Sequence, residues 1–180
     1  MKSNITKLNV IVIALFAAFA VQSCTEERGN SYTSKTKVNA DGLNFIRTAH
    51  EAGLTEIEAS KIAKKNSTNS QVTAFADMMI TDHTALGADV DSLAKQKFVT
   101  VVAEVNHEDK VVLDSLAKKT GAEFDKAYIE LMVDGHKEAA ELFKENKESN
   151  YTAIRKVADA WSDKIEKHLE EAKKVQASLK

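Results

Sequence analysis

The chain has 180 residues, of which 29% are charged and 43% are hydrophobic, and its formal net charge at pH 7 is −2. This length is enough for one domain with a sizeable core and too short for a leader plus two ordinary domains. A slightly acidic chain without a basic stripe to neutralise phosphates is not expected to bind nucleic acid. Because Cys24 is the only cysteine, an internal disulfide is excluded.

The N-terminus has the features of a secretion signal. Lys2 and Lys7 precede an uninterrupted apolar run over residues 10–21. That run is shorter than the about 20 residues that a membrane-spanning helix needs. The Val-Gln-Ser-Cys segment that ends at Cys24 resembles a lipobox, whose cysteine is acylated and becomes the new N-terminus; the alternative is an ordinary signal peptide with an incidental cysteine. We therefore predict a lipoprotein signal peptide over residues 1–23 and lipidation of Cys24.

The next segment, residues 24–41, is polar and has almost no large apolar side chain. Such a segment cannot bury enough surface to offset the entropy of ordering, so it is predicted to be a flexible tether. One folded domain is predicted over residues 42–180. A lipid anchor followed by a tether predicts a location in the cell envelope, attached to the outer membrane and facing either the periplasm or the cell surface.

The composition of the remaining chain favours helices. It has no proline, few glycines and many Ala, Lys, Glu and Leu residues, and its apolar residues recur at spacings of three and four. The pattern predicts four long helices, at about Asp41–Lys65, Thr68–Lys97, Gly121–Glu148 and Asn150–Ser178, and a short helix at about Asn106–Lys119. Thr68 and Thr120, each followed three residues later by Gln or Glu, are predicted to cap the second and third long helices. The β-branched segment 98–103 has no partner strand and is predicted to be an extended connector.

The lengths of the connections predict the topology of an all-α domain. Short connections make the first and second long helices, and likewise the third and fourth, antiparallel hairpins. The connection between the second and third is long enough to run the length of a bundle, which would make these two helices parallel. This arrangement is a ferritin-like four-helix bundle whose long crossover contains the short extra helix. The competing arrangement is an up-down-up-down bundle with the short helix as a lid on one end.

Four polar residues interrupt the apolar stripes near the middle of the long helices, namely Glu56, His83, His136 and His168. Residues at one level of a bundle can meet inside it, and buried polar groups need partners. Three imidazoles and a carboxylate are suitable ligands for a transition metal such as zinc, iron or copper, with Asp82 and Asp134 close enough to orient them. The alternative is a metal-free core in which Glu56 hydrogen-bonds the histidines. The Glu-x-x-His pairs of di-iron bundles are absent, so an ordinary di-iron site is excluded.

The other histidines, His50 and His107, fall on or near polar faces and are predicted to be exposed. The sequence shows no Ser/His/Asp or Cys/His combination, no glycine-rich phosphate loop and no Cys-x-x-Cys pair. Catalysis therefore has little support from the sequence.

Several motifs together resemble a bacterial secreted or envelope family called domain of unknown function 4142. The pieces that carry the resemblance are Phe45-x3-Ala49-x6-Glu56-x-Glu58-x4-Ala63, Val72-x2-Phe75-Ala76-x2-Met79-x2-Asp82-His83, Gly121-x2-Phe124-Asp125-x2-Tyr128, His136 and His168-Leu169-x2-Ala172. Members of that family are often labelled outer-membrane proteins and look ferritin-like. The resemblance implies a helical bundle in the envelope and implies no activity.

Two functional hypotheses follow. The leading one is an envelope lipoprotein whose helical domain binds a partner or has a structural role without catalysis. The alternative is a metal-binding or redox bundle that uses the Glu/His cluster. The sequence does not separate the two hypotheses because both predict the same buried residues.

Overall fold

The computed structural model describes residues 36–179, and the described part of the chain contains helices and connectors without strands. The five helices are α1 (Ala40–Asn66), α2 (Ser70–Lys97), α3 (His107–Ala117), α4 (Gly121–Asn146) and α5 (Thr152–Ser178). The predicted helices are confirmed, with ends that differ by about two residues. The predicted signal peptide, Cys24 and the tether up to residue 35 lie outside the described residues.

The helix caps differ from those predicted. Asn69 rather than Thr68 caps α2, and its side-chain oxygen accepts hydrogen bonds from the backbone N–H groups of Gln71 and Val72. Thr120 is the N-cap residue of α4 but makes no capping hydrogen bond with its side chain. The expected partner in that capping box, Glu123, instead forms an ion pair with Lys119.

The last residues of the predicted tether are attached to the folded domain. The backbone N–H of Lys37 donates a hydrogen bond of 2.9 Å to the carbonyl oxygen of Lys97. Val38 is buried in the core, and Asn39 caps α1 by accepting from the N–H of Gly42. The folded domain therefore begins before residue 42.

The four long helices pack in antiparallel neighbouring pairs. Short connections join α1 to α2 and α4 to α5. Across the bundle, the ring of Phe45 at the start of α1 lies 5.1 Å from that of Phe143 at the end of α4. Gln71 at the start of α2 accepts a hydrogen bond from Ser178 at the end of α5. Since α1 is antiparallel to both α2 and α4, these latter two helices are parallel.

The connection from α2 to α4 runs along the length of α1. In chain order, the carbonyl of Val102 contacts His50, the carboxylate of Asp109 accepts from Thr55, and the carbonyls of Ala117 and Lys119 accept from Asn66. The segment therefore crosses from one end of the bundle to the other, as predicted, and the arrangement with α3 as a lid is wrong.

The core consists of two apolar clusters. One is built from the C-terminal halves of α1 and α5 and the N-terminal halves of α2 and α4, and includes Met79, Tyr128 and Met132. The other lies at the opposite end and includes Phe45, Leu86 and Phe143. The candidate polar residues fall in sequence between the two clusters on every long helix. The bundle therefore holds a polar layer between two apolar ones.

Within residues 36–179, no helix is both long and apolar enough to cross a membrane.

Candidate metal centre

Each long helix contributes one side chain to the polar layer. Glu56 comes from α1, His83 from α2, His136 from α4 and His168 from α5, and all four are buried. Each of these residues occupies a position on the apolar stripe of its helix, at the spacing of three or four that points a side chain into a bundle. The packing of the helices therefore brings the four predicted residues together.

The three imidazole rings form a nearly equilateral triangle. Ring centroids are 5.4 Å apart for His83 and His136, 5.4 Å for His83 and His168, and 5.5 Å for His136 and His168. One potential ligand atom from each ring lies within 4.8 Å of the others. Three nitrogens at this separation are close enough to bind one metal ion between them.

Each ring is held on one nitrogen by an oxygen of the protein. The Nε2 of His168 lies 2.9 Å from Oδ2 of Asp82, and the Nδ1 of His136 lies 2.8 Å from the carbonyl oxygen of Met132. The Nδ1 of His83 lies 2.9 Å from Oε2 of Glu56. These contacts fix the orientation of the rings and, because an acceptor favours a proton on the neighbouring nitrogen, also the tautomer.

The opposite nitrogen of each ring has no protein partner. The Nε2 of His83, the Nε2 of His136 and the Nδ1 of His168 are buried and have no hydrogen-bond partner within the described residues. Buried polar atoms are rarely left without partners because each one costs about 1–3 kcal/mol. Three such atoms in one cluster are therefore a specific feature of this site.

The charges of the site suit a bound cation. Burial alone would raise the pKa of Glu56, but His83 and His136 outweigh that effect and lower the pKa, so Glu56 is a carboxylate. Burial lowers the pKa of His136, and it lowers the pKa of His168 to about 4. These two imidazoles are therefore neutral near pH 7, the form that binds metals.

Glu56 occupies a different place from the predicted one. Its two carboxylate oxygens contact His83 at 2.9 Å and the Nδ1 of His136 at 3.2 Å, and it does not belong to the group of potential metal ligands. The structure therefore assigns three histidines to the candidate centre and places Glu56 behind two of them.

The two candidate orienting residues have different surroundings. Asp82 bridges His168 and the ammonium group of Lys164, and these contacts outweigh the effect of burial and lower its pKa. Asp134 is 61% exposed and forms an ion pair with Lys137. The expectation that Asp134 orients a histidine is wrong, because a residue two positions before His136 projects to the opposite side of the helix.

Comparison with known proteins identifies the family. The sequence pattern of the family described as Domain of unknown function (DUF4142) matches residues 28–175. The chain belongs to the DUF4142 family. The resemblance to this family seen in the sequence is thereby confirmed. No curated protein and no solved structure matches the chain.

Small residues let the helices of this DUF4142 chain approach the site. A Cβ atom added at Gly135 of α4 would lie 3.3 Å from Oε1 of Glu56, and one added at Gly53 of α1 would lie 4.0 Å from Nδ1 of His83. The space beside the Glu56 carboxylate is therefore limited by the backbone of α4.

Sequence reasoning missed a second group of polar residues. Tyr128, fully buried in the DUF4142 core, shares a 2.8 Å hydrogen bond with Ser60, whose hydroxyl donates to the carbonyl of Glu56. Burial raises the pKa of Tyr128 well above its ordinary value, so its hydroxyl stays protonated. The spacing of Ser60, four residues after Glu56 on the same small-residue stripe, is the sequence signal that could have revealed this contact.

The prediction for His50 is wrong, whereas that for His107 is confirmed. His50 is buried and lies between the carboxylate of Asp91, at 3.0 Å, and the carbonyl of Val102, at 2.7 Å. The crossover covers the polar face of α1 on which His50 lies, and the sequence did not show that it would. His107 is exposed at the start of α3.

Proposed function

We propose that the domain binds one transition-metal ion through His83, His136 and His168. The observation that supports this proposal is the set of three buried, unpartnered imidazole nitrogens, one from each ring. In known metal sites a ligating histidine donates its other ring N–H to a carboxylate or a backbone carbonyl. All three rings have an oxygen in that position.

The arrangement favours a metal that prefers nitrogen ligands. Imidazole suits zinc, copper, iron and nickel, whereas magnesium and calcium prefer oxygen. The nearby carboxylates of Glu56 and Asp82 supply two negative charges, which balance the charge of a divalent ion. Three protein ligands also leave at least one position open, as in sites where a metal binds a further molecule.

Metal analysis of the purified protein tests this function. We expect about one equivalent of zinc, copper or iron by mass spectrometry after equilibration with each metal near neutral pH. Replacing each ligand in turn, as His83→Gln, His136→Gln and His168→Gln, should abolish stoichiometric binding, whereas His107→Gln should not. Absence of all three metals from the wild-type protein would contradict the proposal and favour a metal-free polar core.

We further propose that the bundle is ferritin-like. The parallel course of α2 and α4 and the long crossover along α1 support this proposal, because both are features of ferritin-like folds.

The location proposed for this domain is the cell envelope, where Cys24 would carry a lipid anchor in the outer membrane. The support is the position of Cys24 directly after an apolar run that follows Lys2 and Lys7. Cys24→Ala should release the protein from the membrane fraction without unfolding the helical domain, as measured by fractionation and circular dichroism. Membrane association of the Cys24→Ala protein that still requires detergent would contradict the lipid anchor.

A further inference from the structure

A cavity of about 100 Å³ lies beside the candidate centre, and its lining includes residues of all four long helices. Some lining residues are exposed, such as Thr48 on α1 and Glu138 on α4. Others are buried, and these include Glu56 and His83. The cavity therefore connects the surface between α1 and α4 with the edge of the histidine cluster.

The walls of the cavity are mostly apolar, and many of them are small. Ala49, Ala52 and Gly53 on α1 line it together with Gly135 and Ala139 on α4. Helices that meet through such small residues usually pack closely, since protein interiors have few voids larger than a water molecule. An open space at this point is therefore a feature that larger side chains at these positions would remove.

The size and chemistry of the cavity indicate which molecules it can hold. An apolar cavity of about 150 Å³ holds benzene, so this smaller one suits a molecule of a few heavy atoms. An ion would lose its hydration against apolar walls without gaining a partner. The carboxylates of Glu138 near the surface and Glu56 near the cluster disfavour anions in particular.

We propose that this cavity binds a small neutral molecule of diatomic size and admits it to the open position of the metal. This inference rests on the proposed metal centre, which supplies that position. His83 is both a lining residue of the cavity and one of the three candidate ligands, so a molecule in the cavity lies against the centre.

Nitric oxide and the cobalt(II)-loaded protein provide the test, because a ligand on cobalt changes its visible spectrum. Ala139→Leu places a larger side chain in the cavity. The matched control is Ala140→Leu, the next residue on α4, which is also half-buried against the same apolar cluster but does not line the cavity. Both changes replace one strong helix former with another, so helix propensity stays nearly constant.

We expect nitric oxide to bind the wild-type and Ala140→Leu proteins at similar rates. In Ala139→Leu the rate should fall on the order of tenfold or more, because a close-packed interior gives no other passage. Azide, a small anion, should react more weakly than nitric oxide with the wild-type protein. Ala52→Leu closes the cavity from α1 and repeats the test if Ala139→Leu does not fold.

Two further measurements separate this inference from the proposed function. Cobalt content is determined for every variant, and failure of the wild-type protein to bind any metal overturns the metal centre and with it the delivery of a ligand. Xenon binding, followed by ¹²⁹Xe NMR on the metal-free protein, reports the cavity independently and should be lost in Ala139→Leu. Full cobalt loading with equal nitric oxide rates in all variants would show that the cavity is not the route.

Discussion

At the scale of single residues, the histidine cluster depends on the oxygens that hold its rings. Asp82 contacts the Nε2 of His168 and leaves the Nδ1 to face the cluster without a partner. An anionic acceptor keeps the proton on Nε2 and makes Nδ1 a better electron donor to a metal. Asp82 is therefore a positioning residue that acts through His168.

The first prediction concerns this positioning residue. Asp82→Asn should weaken metal binding about 10–100-fold, because the amide lacks the charge that orients and polarises His168. The matched control is Asp134→Asn on the exposed face of α4, which should leave the affinity unchanged. Calorimetric titration of both variants with zinc measures the effect. Equal affinities for the two variants would remove Asp82 from the site.

The second prediction concerns the pH dependence of the metal-free protein. The pKa of His168 is lowered from 6.5 to about 4 by burial, so below pH 6.5 the unfolded chain binds a proton that the folded protein does not. This stability is fully present above pH 6.5 and is lost as the pH falls towards 4, by about 3 kcal/mol at most. The lowered pKa values of His136 and Glu56 act in the same direction.

Urea unfolding at several pH values between about 7 and 4 measures this dependence. His168→Gln should make the free energy of unfolding fall less steeply with acid, whereas His107→Gln on the surface should not change the slope. If wild-type and His168→Gln proteins lose the same stability over this interval, proton binding by His168 is not its source.

Sequence reasoning identified the cluster but could not assign a role to each atom. The positions of Glu56, His83 and His136 on apolar stripes follow from helical periodicity, which the sequence shows directly. Which oxygen meets which ring depends on the relative rotation and height of the helices, and those are set by packing. For this reason Glu56 was predicted as a ligand and is found behind two rings.

At the scale of helices, two glycines show how the backbone of the bundle limits the site. Both Gly87 on α2 and Gly135 on α4 lie inside helices, where glycine costs about 1 kcal/mol relative to alanine. Nothing lies within 4 Å of a Cβ added at Gly87, whereas one at Gly135 meets Glu56. The same substitution should therefore have different results at these two positions.

The third prediction uses this pair. Gly87→Ala should raise the free energy of unfolding by about 0.5–1 kcal/mol without changing metal affinity. Gly135→Ala gains the same helix propensity but crowds the carboxylate, so its stability gain should be smaller and its zinc affinity lower. Thermal unfolding and zinc titration measure both effects. A full stability gain with unchanged affinity in Gly135→Ala would show that Glu56 adjusts freely.

Helix ends and caps illustrate a second limit of prediction from sequence. The ranges of the helices follow from the apolar spacing and from the residues that interrupt it, and these were close to those observed. The caps were less certain because Thr68 and Asn69 are both competent N-caps, and the choice depends on the path of the turn. The burial of His50 likewise depends on a crossover whose route the sequence does not fix.

At the scale of the whole molecule, the candidate centre connects three of the four long helices. His83, His136 and His168 are far apart in sequence and meet only when α2, α4 and α5 are packed. A metal ion held by all three therefore binds the folded bundle and not the unfolded chain. Its binding free energy adds to the free energy of unfolding.

The last prediction is a thermal shift that follows from this linkage. A metal present at 100 times its Kd adds about 2.7 kcal/mol, which for a domain of this size corresponds to a rise in Tm on the order of 10 °C. Zinc, copper or iron should produce the rise in the wild-type protein, whereas magnesium and calcium should not because the unpartnered atoms are nitrogens. The His136→Gln protein, which lacks one of the three ligands, should melt at the same temperature with and without metal. A wild-type Tm that does not change with any of the three transition metals would contradict the metal centre, because no site built from three helices can bind an ion without stabilising their packing.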